Sequence, residues 1–383
     1  MITILSLCSR NLHRVPRFLV QTTWNAMSTD SEVILETVGS KGVITLNRPK
    51  ALNSLNLNMI RTIYPQLKAW QSDPAVKLVI VKSSGDRAFC AGGDVRALVE
   101  AHKAGNPTLA EEFFREEYQL NNLIGTLQIP YIALIDGITM GGGIGISVHG
   151  AYRVCTERTV CAMPEAAIGF FPDVGGSYFL PKLPGKIGLF LALTAYRLQG
   201  RDVLKAGIAT HFVDSSNIKN LENDLMRLEN PSLSDIDRIL LKFQEQCEAD
   251  YKKEFALKPV MGKMNTVFEA DSIEKIMEAL QTEGSEWSKK QYNLMKLMSP
   301  TSLKVAFQQL KRGANMTLQD NLKMEYRLCQ RFMADHDFHD GVRAVLIDKD
   351  NKPNWKPATV EEVTDEKIDS YFKPLPTDKE LKL

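Results

Sequence analysis

Glu165 and Asp173 each follow a proline in an otherwise apolar stretch, Ala162 to Gly176, that begins about twenty residues after the triplet Gly141-Gly142-Gly143. Three successive glycines before Ile144, Ile146 and Val148 predict a backbone turn that runs straight into a buried helix start. Helix starts leave N–H groups unsatisfied and carry partial positive charge, which suits an anion or a developing oxyanion. A glycine-built donor site beside two acids is chemistry for acyl transfer. Each feature also has an ordinary use. A glycine triplet commonly marks close packing, a Pro-Asp pair commonly makes a turn, and Asp173 ahead of Gly175-Gly176 fits a helix N-cap. A second glycine turn, Gly92-Gly93 within Ala88 to Asp94, raises the weight of the chemical reading.

Strands and helices must carry these turns. Glu32 to Val38 and Gly42 to Asn47 read as two strands about a Gly39-Ser40-Lys41 turn. Leu55, Met59, Ile60, Ile63, Leu67 and Trp70 keep helical spacing, with Pro65 expected to kink or split the helix. Lys77 to Lys82 and Tyr131 to Ile135 are short apolar runs, as expected for parallel strands covered on both faces. Strand, glycine turn and helix recur, which predicts a repeated ββα plan whose turns near 92 and 142 meet if successive units stack as a spiral. The polar run Asp214 to Lys219 reads as the start of a linker. Helical periodicity then dominates from Leu221 onward, and Thr364 to Leu383 reads as a loosely held tail. The expected organisation is a leader over 1–29, a core over 30–225 that binds the acyl group, and a helical region over 226–383 packed on that core.

At 383 residues the chain exceeds what one hydrophobic core sustains, which favours a core plus an appended region. The 47 basic and 46 acidic residues leave a net charge of +1, which argues against nucleic acid or membrane as a bulk partner. Six cysteines without a CxxC pair point to reduced thiols rather than a disulfide framework or zinc site. Residues 1–29 contain Arg10, Arg14 and Arg17, several Ser and Thr, and no acid, which is the chemistry of a mitochondrial transit peptide.

The pairing of AFCAGGD at 88–94 with MGGGIG at 140–145 resembles the crotonase, or enoyl-CoA hydratase/isomerase, superfamily. The resemblance implies an α/β fold, a crotonase-like spiral of ββα units with a helical C-terminal region. It implies an acyl-CoA substrate whose thioester oxygen is gripped by the amides of Gly93 and Gly142, and no cofactor or metal, CoA being part of the substrate. Two preorganised donors stabilise such an oxyanion by several kcal/mol. Hydratases of the superfamily use two glutamates. Gly145 stands at the first of these positions and Glu165 at the second, while Asp173 stands where hydratases usually carry glycine. With FFREEY at 113–118, FPDVGG at 171–176, MSPTSLK at 298–304 and HDFHDGVRAVLIDKDNKPNWKP at 336–357, the chain is similar to the superfamily's hydrolases of short 3-hydroxyacyl-CoA thioesters. That likeness implies Glu165 as base or nucleophile, Asp173 assisting, and Glu117 rather than Glu116 as a substrate contact. It also implies a matrix enzyme of branched-chain amino-acid breakdown, and leaves homo-oligomer assembly open.

Other readings compete with this one. A hydratase or isomerase of the same fold lacks its second acid at Gly145, and a non-catalytic RNA-binding homologue requires a basic stripe that a net charge of +1 does not suggest. His336 and His339 have metal-like spacing without a third ligand nearby, His149 reads as a core or capping residue, and Cys90 lacks a base partner. Lys349 and Lys352 are the sequence's candidates for CoA phosphates.

Overall fold

The computed structural model describes residues 31–383, so the leader lies outside the described residues. Glu32–Leu383 form one compact unit. β1 (Val33–Val38) and β2 (Lys41–Leu46) make the expected antiparallel hairpin. α1 (Leu57–Ser72) follows, started by Asn56, whose side chain accepts from the Met59 amide. Pro65 does not divide this helix, because the buried stripe Met59, Ile60, Ile63, Leu67 and Trp70 holds both halves on the core. Trp70 lies flat enough on β2 that a Cβ on Gly42 would come within 2.6 Å of its ring.

Three ββα-like units come next. The first is β3 (Leu78–Ser83), β4 (Ala88–Cys90), α2 (Val95–Lys103) and the long α3 (Thr108–Thr126). The second is β5 (Tyr131–Ile135), β6 (Ile138–Met140) and α4 (Gly142–Val148). The third is β7 (Tyr152–Cys155), β8 (Val160–Ala162) and a 3₁₀ turn at Glu165–Ile168, followed by the short α5 (Gly176–Phe179) and the apolar α6 (Ile187–Thr194). β9 (Leu198–Gln199), α7 (Arg201–Lys205) and β10 (His211–Phe212) complete the sheets. The first strand of each unit joins a six-stranded sheet, in the order β1-β2-β3-β5-β7-β10, and the second joins a four-stranded one, β4-β6-β8-β9. Pairing within β2-β3-β5-β7-β10 and β4-β6-β8 is parallel. Stacked this way, the turns after β4 and β6 lie side by side.

β3 is apolar on both faces for a visible reason. Val79 and Val81 enter the main core, while Leu78 and Ile80 enter a second cluster on the other side of the sheet. That second cluster is closed by α8 (Ile218–Arg227) and α9 (Leu233–Glu245) through Leu221, Leu225, Ile236, Leu240 and Phe243. The segment read as a linker, 214–219, is instead a 3₁₀ turn, Ser215–Asn217, leading directly into α8. Its polarity comes from capping: Asp214 accepts from the Ser216 amide, and Glu157 accepts from that of Ser215. The position 225/226 falls inside α8.

The remaining chain is helical: α10 (Glu248–Tyr251), α11 (Met261–Val267), α12 (Ile273–Glu283), α13 (Glu286–Met295), α14 (Pro300–Gly313), α15 (Leu318–Ala334), α16 (His336–Val342) and α17 (Asp365–Phe372), with a π-helical turn at Arg343–Ile347. The tail is not loose. Ile368, Tyr371, Phe372 and Leu381 are buried, and Arg327 pairs with Glu380 at 2.9 Å. No described helix is long and apolar enough to cross a membrane.

Candidate active site

The two glycine turns meet at one cavity of about 490 Å³, and Gly93, Glu117, Gly142, Glu165 and Asp173 all line it. At the first turn, Leu55 forms a parallel bridge to Gly93: the Leu55 amide donates to Gly92 O at 2.8 Å and the Asp94 amide to Leu55 O at 2.8 Å. A bridge that uses the groups on either side of Gly93 turns the amide of Gly93 itself to the opposite side, toward the cavity. Gly92, at φ +111°, makes this turn feasible. At the second turn, Gly141 at φ +47° precedes α4, so the Gly142 amide is a first-turn donor without an intrahelical acceptor. Neither amide donates to another group among the described residues. A Cβ placed on Gly142 would lie 3.2 Å from the Gly93 nitrogen, which fixes how near the two donors are. Gly143 serves packing, since a Cβ there would come within 2.1 Å of Cys90 O.

Around the donors stand three carboxylates. Glu117, Glu165 and Asp173 expose only 2%, 6% and 4% of their surface, and no cation among the described residues pairs with any of them. Burial drives all three upward from the ordinary carboxylate range. Glu165 and Glu117 rise well above it, by desolvation first and then by the charge of Asp173. Asp173 is pushed up to about 7 by desolvation, opposed by a hydrogen bond from the Tyr118 hydroxyl at 2.9 Å. Glu117 Oε1 and Glu165 Oε2 are buried without a hydrogen-bond partner among the described residues. Glu165 lies in the 3₁₀ turn after β8, its Oε1 2.7 Å from where a Cβ on Gly141 would stand. Glu116, the neighbour of Glu117, points outward to Arg61.

Asp173 does not cap α5. The N-cap position is Gly175 at φ +84°, without a side-chain cap. The amides of Gly175 and Ser177 donate instead to Glu325 of α15, at 2.7 and 2.9 Å. Glu325 is fully buried and raised to about 8 by burial. This leaves the Asp173 carboxylate to Tyr118 and the cavity. At Gly145, a Cβ would lie 2.6 Å from Val174 Cβ and 3.0 Å from Asn121 Nδ2, so no side chain can stand there without moving the turn that bears Asp173.

Several groups here escaped sequence reasoning. Glu325 stands 150 residues from its partner and no local pattern announces it. Arg197 is exposed, lines the cavity, and forms no ion pair among the described residues. Val345 and Leu346, from the π-helical turn, also line the cavity, whereas Lys349 and Lys352 do not. His336 and His339 bond to the carbonyls of Asn354 and Met333, and His149 to that of Val174. No cluster of three or more His, Cys, Asp or Glu able to hold a metal occurs among the described residues. Burial pushes the Cys90 thiol up to about 12, and its Sγ faces Gly92 O.

Paired strands ending in two glycine donor turns, above a cavity with buried acids, define the class. A family model described as enoyl-CoA hydratase/isomerase matches residues 41–372, and the chain belongs to that family. The mitochondrial 3-hydroxyisobutyryl-CoA hydrolase of Gallus gallus is 58% identical over 349 residues, 91% of this chain and 90% of that protein. The protein of the same description from Homo sapiens is 57% identical over 344 residues, 90% and 89% of the two chains. Among solved structures, a carnitinyl-CoA dehydratase from Mycobacterium thermoresistibile superposes with a TM-score of 0.85 at 35% identity, over 92% of this chain and 99% of that one. An enoyl-CoA hydratase from Rhodobacter sphaeroides 2.4.1 gives 0.84 at 33% identity, over 92% and 100%.

Proposed function

We propose that this chain hydrolyses the thioester of 3-hydroxyisobutyryl-CoA, giving 3-hydroxyisobutyrate and free CoA, with 3-hydroxypropionyl-CoA as a second substrate, in the mitochondrial matrix. The observation that carries the reading is the pair of uncommitted amides, Gly93 and Gly142, on the same cavity as Glu165 and Asp173. The amides hold the thioester oxygen and stabilise the charge that develops on it. Glu165 Oε2, buried and without a protein partner, meets either the acyl carbon or the attacking water. Asp173 assists proton transfer from a site raised to about 7, near the pH at which a proton is both held and released. Glu117 contacts the acyl group. Arg197 takes a CoA phosphate at the cavity's exposed side, a role the sequence had offered to Lys349 and Lys352. The acyl-CoA is the only partner the reading requires.

Two of the solved relatives are described as a dehydratase and a hydratase, but that chemistry needs the second acid which Gly145 has no room to carry. Incubation with 3-hydroxyisobutyryl-CoA and, separately, with an enoyl-CoA distinguishes the readings. Free thiol released from the first substrate is expected. Loss of enoyl absorbance without thiol would replace the hydrolase with a hydratase.

A further inference from the structure

Tyr118 is a fully buried tyrosine on α3, one residue after Glu117, and its hydroxyl donates to Asp173 Oδ2 at 2.9 Å, its one partner among the described residues. Its ring is wedged between Phe114, at 6.1 Å between centroids, and Tyr326 of α15, at 6.4 Å. The hydroxyl therefore cannot swing away from Asp173 without moving a helix. No other side chain among the described residues donates to Asp173. The groups facing this pair are Glu117 on the same helix, Glu165 in the 3₁₀ turn, and Glu325 and Cys329 on α15, with no cation among them. An anion at Asp173 is thus opposed by burial and favoured by two hydrogen bonds, the larger from Tyr118 and the other from the backbone amide of Asp173 itself.

Building on the hydrolase reading of Asp173, we propose that Tyr118 is a positioning residue that fixes Asp173 Oδ2 and keeps Asp173 ionisable, so that its other oxygen serves the substrate. The hydroxyl contributes a hydrogen bond that is stronger to the carboxylate than to the acid. It is the leading influence that offsets desolvation at Asp173. Removing it raises the pH at which Asp173 gives up its proton.

Tyr118→Phe keeps the ring and its packing and deletes only the donor. The acid limb of the pH profile of kcat/KM for thiol release is expected to move upward by about one pH unit, with activity recovering toward the wild-type level above pH 8.5. A uniform loss at all pH values would overturn the proposal and leave Tyr118 a packing residue. A second measurement is independent of turnover. Because Tyr118→Phe raises an acid's pKa in the folded state, the stability it removes should be greater at pH 8 than at pH 5. The Tm deficit of Tyr118→Phe should grow between those pH values, and that growth should vanish in an Asp173→Asn background. A deficit independent of pH, or the same growth without Asp173, overturns the proposal. Wild-type thiol release by Asp173→Asn would instead remove the catalytic reading of Asp173, and the positioning role with it, even where the thermal cycle shows the coupling.

Discussion

At Glu165 the protein keeps a carboxyl in a place that opposes its charge, and that opposition links activity to stability. Desolvation and the charge of Asp173 raise its folded-state pKa. An acid whose pKa is raised by folding contributes stability at low pH that is lost as pH climbs through the folded value. Glu165→Gln has no such cost. It should lower thiol release by at least about 100-fold and melt higher than the wild type at pH 8, with the difference shrinking toward pH 5. Calorimetry at both pH values checks the sign, and a variant less stable at pH 8 than at pH 5 relative to wild type would contradict it. Asp173 follows the same rule over a window from its ordinary value of 3.8 to about 7. Since Gly175 and Glu325, not Asp173, start α5, Asp173→Asn removes no cap. It should cost at least about tenfold in kcat, equivalent to about 1.4 kcal/mol, without lowering Tm at neutral pH. Unchanged kcat would leave the chemistry to Glu165 and the two amides.

Strand, turn and helix bring the donors together, and the closeness of β4 to α4 is the critical spacing. A Cβ on Gly143 would collide with Cys90 O, a backbone atom that cannot rotate aside. Gly143→Ala should therefore destabilise the fold by about 1 to 3 kcal/mol, and should raise KM or lower kcat by separating the Gly142 and Gly93 amides. Gly262→Ala in α11 is the control: nothing lies within 4 Å, so it should be neutral or stabilise by up to about 1 kcal/mol. Equal melting temperatures for the two variants would refute the spacing argument. These glycine turns were legible because their physics is local: positive φ, close approach and a helix start all write themselves into a few adjacent residues. So were β3 and β5, whose doubly apolar runs reflect cover on both faces. Glu325 and Tyr118 were not, because their hydrogen-bond partners stand 150 and 55 residues away, and Arg197 was not, because only the folded chain brings it to the cavity. The same holds for the π-helical turn, whose cavity-facing Val345 and Leu346 sit inside an otherwise ordinary helical pattern.

On the scale of the whole molecule, the C-terminal helices are part of the site's foundation. α14 supplies Gln309, whose Nε2 donates to Pro172 O at 2.5 Å, and α15 supplies Glu325 to the turn that follows Asp173. The Ser299 amide donates to Ala166 O, and a Cβ on Gly169 would meet Asp337 O at 2.2 Å, so the 3₁₀ turn bearing Glu165 is also held from that side. α15 is braced in turn by the tail. Phe332 packs edge-on against Tyr371 at 4.8 Å, Arg327 holds Glu380, and the Tyr371 hydroxyl donates to Asp335 at the end of α15. The polar composition of 364–383 conceals this, because its four buried apolar side chains are spread among charges that remain in water. Deleting residues 364–383 uncovers those four side chains and the surface of α15 beneath them. At about 1.5 to 3 kcal/mol for each large side chain, the loss is several kcal/mol, a large fraction of ordinary domain stability. The truncated protein should melt well below the full chain. At temperatures where it is still folded, kcat should fall more than KM rises, since the acids lose support while Arg197, the residue proposed to take a CoA phosphate, lies elsewhere. A truncation that melts with the full chain and retains its kcat would show that α15 holds the Asp173 turn without help from the tail.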